Sequence, residues 1–162
     1  MRFRIAGALG AAVLQTALVS TIASAQSASL PSPAGSPAGL WHTIDDATGK
    51  PRAEIRISVV GDQLTGTVVR SLVPGEEGDK LCDKCPGSRH NQPLIGMAIL
   101  TGLRRDRDNP LLWNGGEVLD PDVGKVYKAK VEVARDGKSL KMRGFLGVAM
   151  LGRTQVWKRA GE

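Results

Sequence analysis

Apolar and polar residues alternate with period two over most of the chain beyond residue 50. From Arg52 to Val60, Ala53, Ile55, Ile57 and Val59 fall on one face and Arg52, Glu54, Arg56 and Ser58 on the other. That spacing predicts a strand with one buried face. Gly61-Asp62 predicts a tight turn, and Leu64 to Val69 the return strand. Tyr127, Ala129, Val131 and Val133 share a face opposite Lys128, Lys130 and Glu132. Asp136-Gly137 then turns the chain, and Ser139 to Phe145 returns with Leu140, Met142 and Gly144 on one side. Further strands are expected at Gly39 to Ile44, Leu94 to Leu100, Glu117 to Leu119 and Thr154 to Lys158. Leu146 to Gly152 reads as a bend or a single helical turn. No stretch after residue 38 carries the helical period.

Short strands separated by turns every 8–12 residues or so predict an all-β fold, a small antiparallel barrel or a β-sandwich. The densest turn chemistry lies between Trp113 and Tyr127. There Gly115-Gly116 suits a bulge or barrel corner, while Asp120-Pro121 with Gly124 suits a turn, Asp120 capping it through its own side chain. An up-and-down barrel is favoured by the two ends of the domain. Gly39-Leu40-Trp41 opens the first strand, and Arg153, Trp157 and Arg159 share a face of the last. In a closed barrel these strands are neighbours, so a guanidinium from the last, Arg159 first and Arg153 second, can lie on the Trp41 indole and seal one end. The Gly-x-Trp start and closing Arg resemble those of the lipocalin and wider calycin group.

The N-terminus changes the picture of where the domain works. Arg2 and Arg4 precede an uncharged apolar run from Ile5 to Ile22, and Ala23-Ser24-Ala25 follows. Residues 1–25 are expected to be a cleaved signal peptide, leaving no membrane span and placing the mature protein in the periplasm or outside the cell. Residues 26–38 read as a flexible Ser/Pro/Ala leader and 39–160 as one barrel domain. Loss of Arg2 and Arg4 lowers the formal charge from +6 to +4, spread without a basic block. With aromatic content at 4%, this argues against a nucleic-acid partner.

Cys82 and Cys85 are the two cysteines, inside a loop running from Ser71 to Pro93. An oxidising compartment favours a disulfide between them. The helix that a redox CxxC requires is missing, Pro86 stands where haem attachment needs His, and zinc would need ligands beyond His90 and the distant His42. Asp120, Asp122 and Glu117 lack the further oxygen ligands and the closing Glu of a calcium loop. No metal, cofactor or catalytic residue is expected. Trp113, Tyr127 and Arg143 are the candidate ligand-contacting residues: aromatic walls with an arginine suit a small amphiphile bearing an anion.

The chain also resembles, across about Gly39 to Arg159, a family of exported bacterial proteins that carry a domain of unknown function. The residues that carry the likeness are Gly39-Leu40-Trp41 with Asp45-Asp46, Cys82-x-x-Cys85-x-Gly87, Leu94-Ile95-Gly96 and Trp113-x-Gly115-Gly116. It continues through Leu119-Asp120-Pro121, Gly124-Lys125-x-Tyr127, Arg143-Gly144-Phe145, and Leu151-Gly152-Arg153-Thr154-Gln155-x-Trp157. The resemblance implies a small barrel-like exported domain and transfers no enzymatic activity. The expected function is non-enzymatic: a barrel that takes a small apolar or amphiphilic ligand or an envelope component, with an interaction module with a filled core as the alternative and an enzyme acting at the barrel mouth ranked last.

Overall fold

A computed structural model describes residues 35–76, 78, 80–148 and 150–160, so the expected signal peptide and the expected leader up to residue 34 lie outside the described residues. Eight strands run in chain order: β1 (Gly39–Ile44), β2 (Pro51–Val60), β3 (Gln63–Ser71), β4 (Ala98–Arg105), β5 (Leu112–Asp120), β6 (Lys125–Val133), β7 (Ser139–Phe145) and β8 (Gly152–Arg159). Each pairs antiparallel with its sequence neighbour, and β1 pairs with β8, so the sheet closes into a barrel and not a sandwich. One 3-10 turn, Gly87–Arg89, is the sole helical element among the described residues.

The alternation sets which side chains enter the barrel. Ile55 and Ile57 of β2, Leu64 and Val68 of β3, and Ala129, Val131 and Val133 of β6 are buried, as their period-two spacing requires. Two boundaries differ from expectation. Leu94 to Met97 is not strand: the Met97 N–H donates to the Leu94 carbonyl at 3.0 Å, turning the chain so that β4 begins at Ala98. β5 starts earlier than Glu117, because the register shift between Trp113 and Gly116 is a bulge inside one strand. The described residues between Leu146 and Leu151 form bends and a turn.

The up-and-down order puts the two kinds of connection at opposite ends. At one end lie the tight turns between β2 and β3 and between β6 and β7, the β4–β5 loop, and residues 35–38. Large side chains fill this end: Trp41, Trp113, Leu64, Leu103, Val131 and Leu140 are buried. Arg105 lies over the Trp113 ring at 5.0 Å. The Asp106 carboxylate organises the neighbouring loop by accepting from the Asp108 and Asn109 N–H groups and from the Asn114 amide. Those backbone bonds, Asn109 first, hold its pKa below the usual carboxylate value.

The β1–β8 seam is the sparsest part of the sheet, with two paired positions, Trp41 with Arg159 and His42 with Lys158. An arginine reinforces it. The Arg159 guanidinium lies 4.2 Å from the Trp41 ring centroid. It donates to the carbonyls of Gly137 at 2.6 Å, Ala38 at 2.9 Å and Ser36 at 2.7 Å. The Trp41 indole N–H donates to the Pro37 carbonyl at 2.7 Å. Residues 36–38, assigned from sequence to the leader, are therefore bound to the barrel end. Gly39 makes room for this: its φ is +132°, and a Cβ there would lie 2.7 Å from an Arg159 nitrogen.

On the outer face Glu54 is buried between His42 on β1 and Arg70 on β3, accepting from Arg70 at 3.2 and 3.3 Å and lying 3.1 Å from the His42 ring nitrogen. The Arg70 hydrogen bonds, and His42 after them, hold the Glu54 pKa down against desolvation.

Arg159→Lys keeps the charge but cannot span three carbonyls with a planar fork, and should cost about 2 kcal/mol. Trp41→Ala should cost about 3–5 kcal/mol, and the double variant should be less destabilised than the sum of the two in urea unfolding, because the groups touch. For Glu54, a depressed folded pKa means that its stabilisation is present above the ordinary value of 4.5 and is lost as pH falls through the folded one. Glu54→Gln should therefore flatten the decline of the unfolding midpoint on acidification below about pH 5, measured by circular dichroism.

Candidate functional site

The opposite end of the barrel is open. Four connections converge there: the β1–β2 loop, the long β3–β4 loop, the β5–β6 turn and the β7–β8 loop. Below them is a cavity of about 380 Å³, inside the range of small-molecule sites. Its interior wall is largely apolar, with Ile55, Val68, Ile99, Val118 and Met142. Tyr127 and Gln155 also line it, as does Trp157, whose buried ring lies on the same β8 face. The Trp157 indole N–H donates to the Gln155 side-chain oxygen at 3.5 Å. Gly144, facing inward from β7, leaves space beside Tyr127, since a Cβ there would meet Val118 at 3.3 Å and the Tyr127 Cβ at 3.6 Å.

The rim is a ring of ion pairs. Arg52 reaches Asp122 at 2.7 Å and Asp45 at 3.7 Å, Lys80 reaches Glu76 at 3.3 Å, and Arg153 donates to Asp46 at 2.9 Å. The Asp46 hydrogen bond pushes the Arg153 pKa up. The Thr48 hydroxyl and N–H hold the pKa of Asp45 down. Between these pairs the rim is apolar and exposed: Leu146, Leu151 and Ile95 line the opening, with Val148 and Met150 beside the first two in the β7–β8 loop.

The β3–β4 loop is held against this end by the cysteines. Cys82 and Cys85 form a disulfide and are buried. The segment around them is fastened by backbone bonds from Cys82 to Gln92, Asn91 to Cys82 and Leu94 to Lys80. It docks on the β5–β6 turn, with Lys84 Nζ donating to the Asp122 carbonyl at 3.0 Å. Gly124 closes that turn by donating to the Asp120 carbonyl at 2.9 Å, and the Asp120 carboxylate accepts from the Asp122 N–H. Its φ is +68°, and a Cβ there would run into the Lys84 carbonyl. The Cys-x-x-Cys and Asp-Pro-x-x-Gly segments are thus two halves of one contact.

The sequence-based candidates separate in space. Tyr127 lines the cavity. Trp113 does not: it is an inward residue of β5 on the far side of the bulge, and it packs the closed end under Arg105. Arg143 does not either, because it alternates with the inward Met142 and Gly144. It donates instead to the Thr154 hydroxyl at 2.7 Å and the Met150 carbonyl at 3.1 Å, bracing the β7–β8 loop. Arg159 is the residue over Trp41. Arg153 ties the other end of the same seam, joining β8 to the β1–β2 loop through Asp46. Trp157 belongs to the cavity wall. Asp122 and Glu117 pair with Arg52 and Lys128, and among the described residues no three His, Cys, Asp or Glu side chains converge as a metal site would need. Gln155, Met142 and the paired cations Arg52 and Lys80 are cavity residues that the single-sequence view missed. For Gln155 the signal was its place between Arg153 and Trp157 on one strand face.

A closed eight-stranded up-and-down barrel, packed at one end and hollow at the other, is a lipocalin-like fold. Among solved structures, a protein from the human pathogen Helicobacter pylori, HP1028, described as belonging to the lipocalin family, is similar in fold. Its TM-score is 0.65 at 17% identity, over 77% of this chain and 83% of that one. The chain belongs to the family of uncharacterized proteins conserved in bacteria, DUF2147, which matches over residues 39–159. No curated protein matches the sequence.

The docking of the cysteine loop makes a specific prediction. Gly124→Ala adds one methyl where both the backbone conformation and the Lys84 carbonyl oppose it, and should cost more than the about 1 kcal/mol of an ordinary left-handed strain. Its effect on thermal unfolding should shrink when Lys84 and the disulfide segment are freed by reduction, because the clash then relaxes.

Proposed function

We propose that this protein binds a small apolar or amphiphilic molecule in the open end of the barrel and acts without catalysis, in the bacterial envelope. The observation that carries this reading is the cavity of about 380 Å³ with apolar walls, opening through an apolar rim. An eight-stranded barrel either fills its interior with side chains or holds one small ligand. Here the closed half does the first, and the half bearing the long loops is left free for the second. The lipocalin-like fold supports the same reading. The disulfide supports an oxidising compartment, in line with the expected export.

A second reading, an interaction module, is favoured by the exposed Leu146, Val148, Met150 and Leu151 in one short loop. The two readings are separable. Native mass spectrometry of protein prepared from the periplasm should show a discrete added mass that is lost on Met142→Trp, which fills the cavity from its wall. A Met142→Trp variant that folds and retains the added mass, or wild-type protein that carries none and takes up no apolar probe, would leave the interaction module as the better account.

A further inference from the structure

The polar side chains inside the cavity differ from those on its rim in one respect: each keeps a donor that has no acceptor among the described residues. The Gln155 side-chain oxygen accepts from Trp157, which directs the amide nitrogen away from that contact, and this nitrogen has no acceptor among the described residues. The Tyr127 hydroxyl likewise has none, and both side chains line the same apolar-walled space. The Tyr127 ring is positioned by the side-chain-free Gly144 beside it. The rim cations are already committed to Asp122, Asp46 and Glu76. Counting Asp45 and Asp120, the described side chains lining the opening carry more carboxylates than cations.

Tyr127 and Gln155 are half-buried, and a ligand that covers them meets free donors and no free cation, which favours a neutral acceptor over an anion, because a carboxylate would lose its hydration without gaining a counter-charge. Resting on the ligand-binding reading above, the geometry points to a narrower ligand class. The cavity takes a molecule with an apolar chain and an uncharged carbonyl oxygen, such as an amide or ester, which accepts from the Gln155 amide N–H and the Tyr127 O–H. It is not a site for a fatty acid anion gripped by arginine. The Arg143 that the sequence offered for that role lies outside the cavity.

Competition against a neutral fluorescent probe, Nile red, tests this with two compounds of equal chain length, decanamide and decanoate, at about pH 7 where the second is ionised. Decanamide should displace Nile red at about one-tenth the concentration that decanoate requires, the size of one buried hydrogen bond. Gln155→Leu should abolish most of that preference, and Tyr127→Phe should reduce it, while both variants still bind Nile red. Tyr127→Phe carries the test alone if Gln155→Leu does not fold. Equal or tighter binding of decanoate by the wild type, or an unchanged preference in the folded variants, overturns the ligand class while leaving ligand binding intact. If Nile red is not bound, or is bound equally by Met142→Trp, the ligand-binding reading itself falls and the class falls with it.

Discussion

The barrel depends on the hold between Arg159 and the start of the first strand. A closed sheet must join its first and last strands, and here that seam has two paired positions. One guanidinium supplies what the short ladder lacks. It stacks on Trp41 and satisfies three backbone carbonyls from two separate segments, residues 36–38 and the β6–β7 turn. Burial pushes its pKa down, and no carboxylate pairs with it among the described residues. Carbonyl dipoles and an indole face replace a counter-ion, which a planar, weakly hydrated cation tolerates better than an ammonium would. Gly39 belongs to the same unit, since the guanidinium occupies the space where any other side chain would begin.

With one end sealed in this way, the other is free to be hollow. The tryptophans Trp41 and Trp113 take up the volume of the closed half. In the open half β7 turns Gly144 inward, and the β5–β6 turn faces outward to receive the cysteine segment. Packing and open space are thereby divided along the barrel axis. The mouth loops are held by contacts at the rim and on the outer face: Arg153 with Asp46 across the seam, Arg143 with Thr154 and Met150, and Lys84 with Asp122. None of these draws on the Tyr127 and Gln155 groups inside.

The disulfide joins residues three apart, so as a cross-link it closes a very short loop and restrains little of the unfolded chain. Its local role is clearer. It holds the turn that places the Lys84 carbonyl against Gly124, and that contact positions part of the mouth. Reduction would therefore be felt at the cavity rim before it was felt in the strands.

Sequence alone determined the architecture because strand periodicity is local. The alternating faces of β2, β6 and β7 and the turns at Gly61-Asp62 and Asp136-Gly137 need no distant partner to be seen. The meander and its closure followed from a Trp at one end and an Arg at the other. What local pattern cannot carry is the side of a bulge on which a residue stands. Trp113 and Tyr127 look equivalent as aromatic residues flanking one turn, yet the bulge at Gly115-Gly116 and the length of β5 send the first to the sealed end and leave the second at the mouth. Arg143 is one residue from two cavity-facing neighbours, and a one-residue step reverses the face. The cavity itself was decided by tertiary structure, because emptiness is the sum of many strands' inward side chains and no single strand records it.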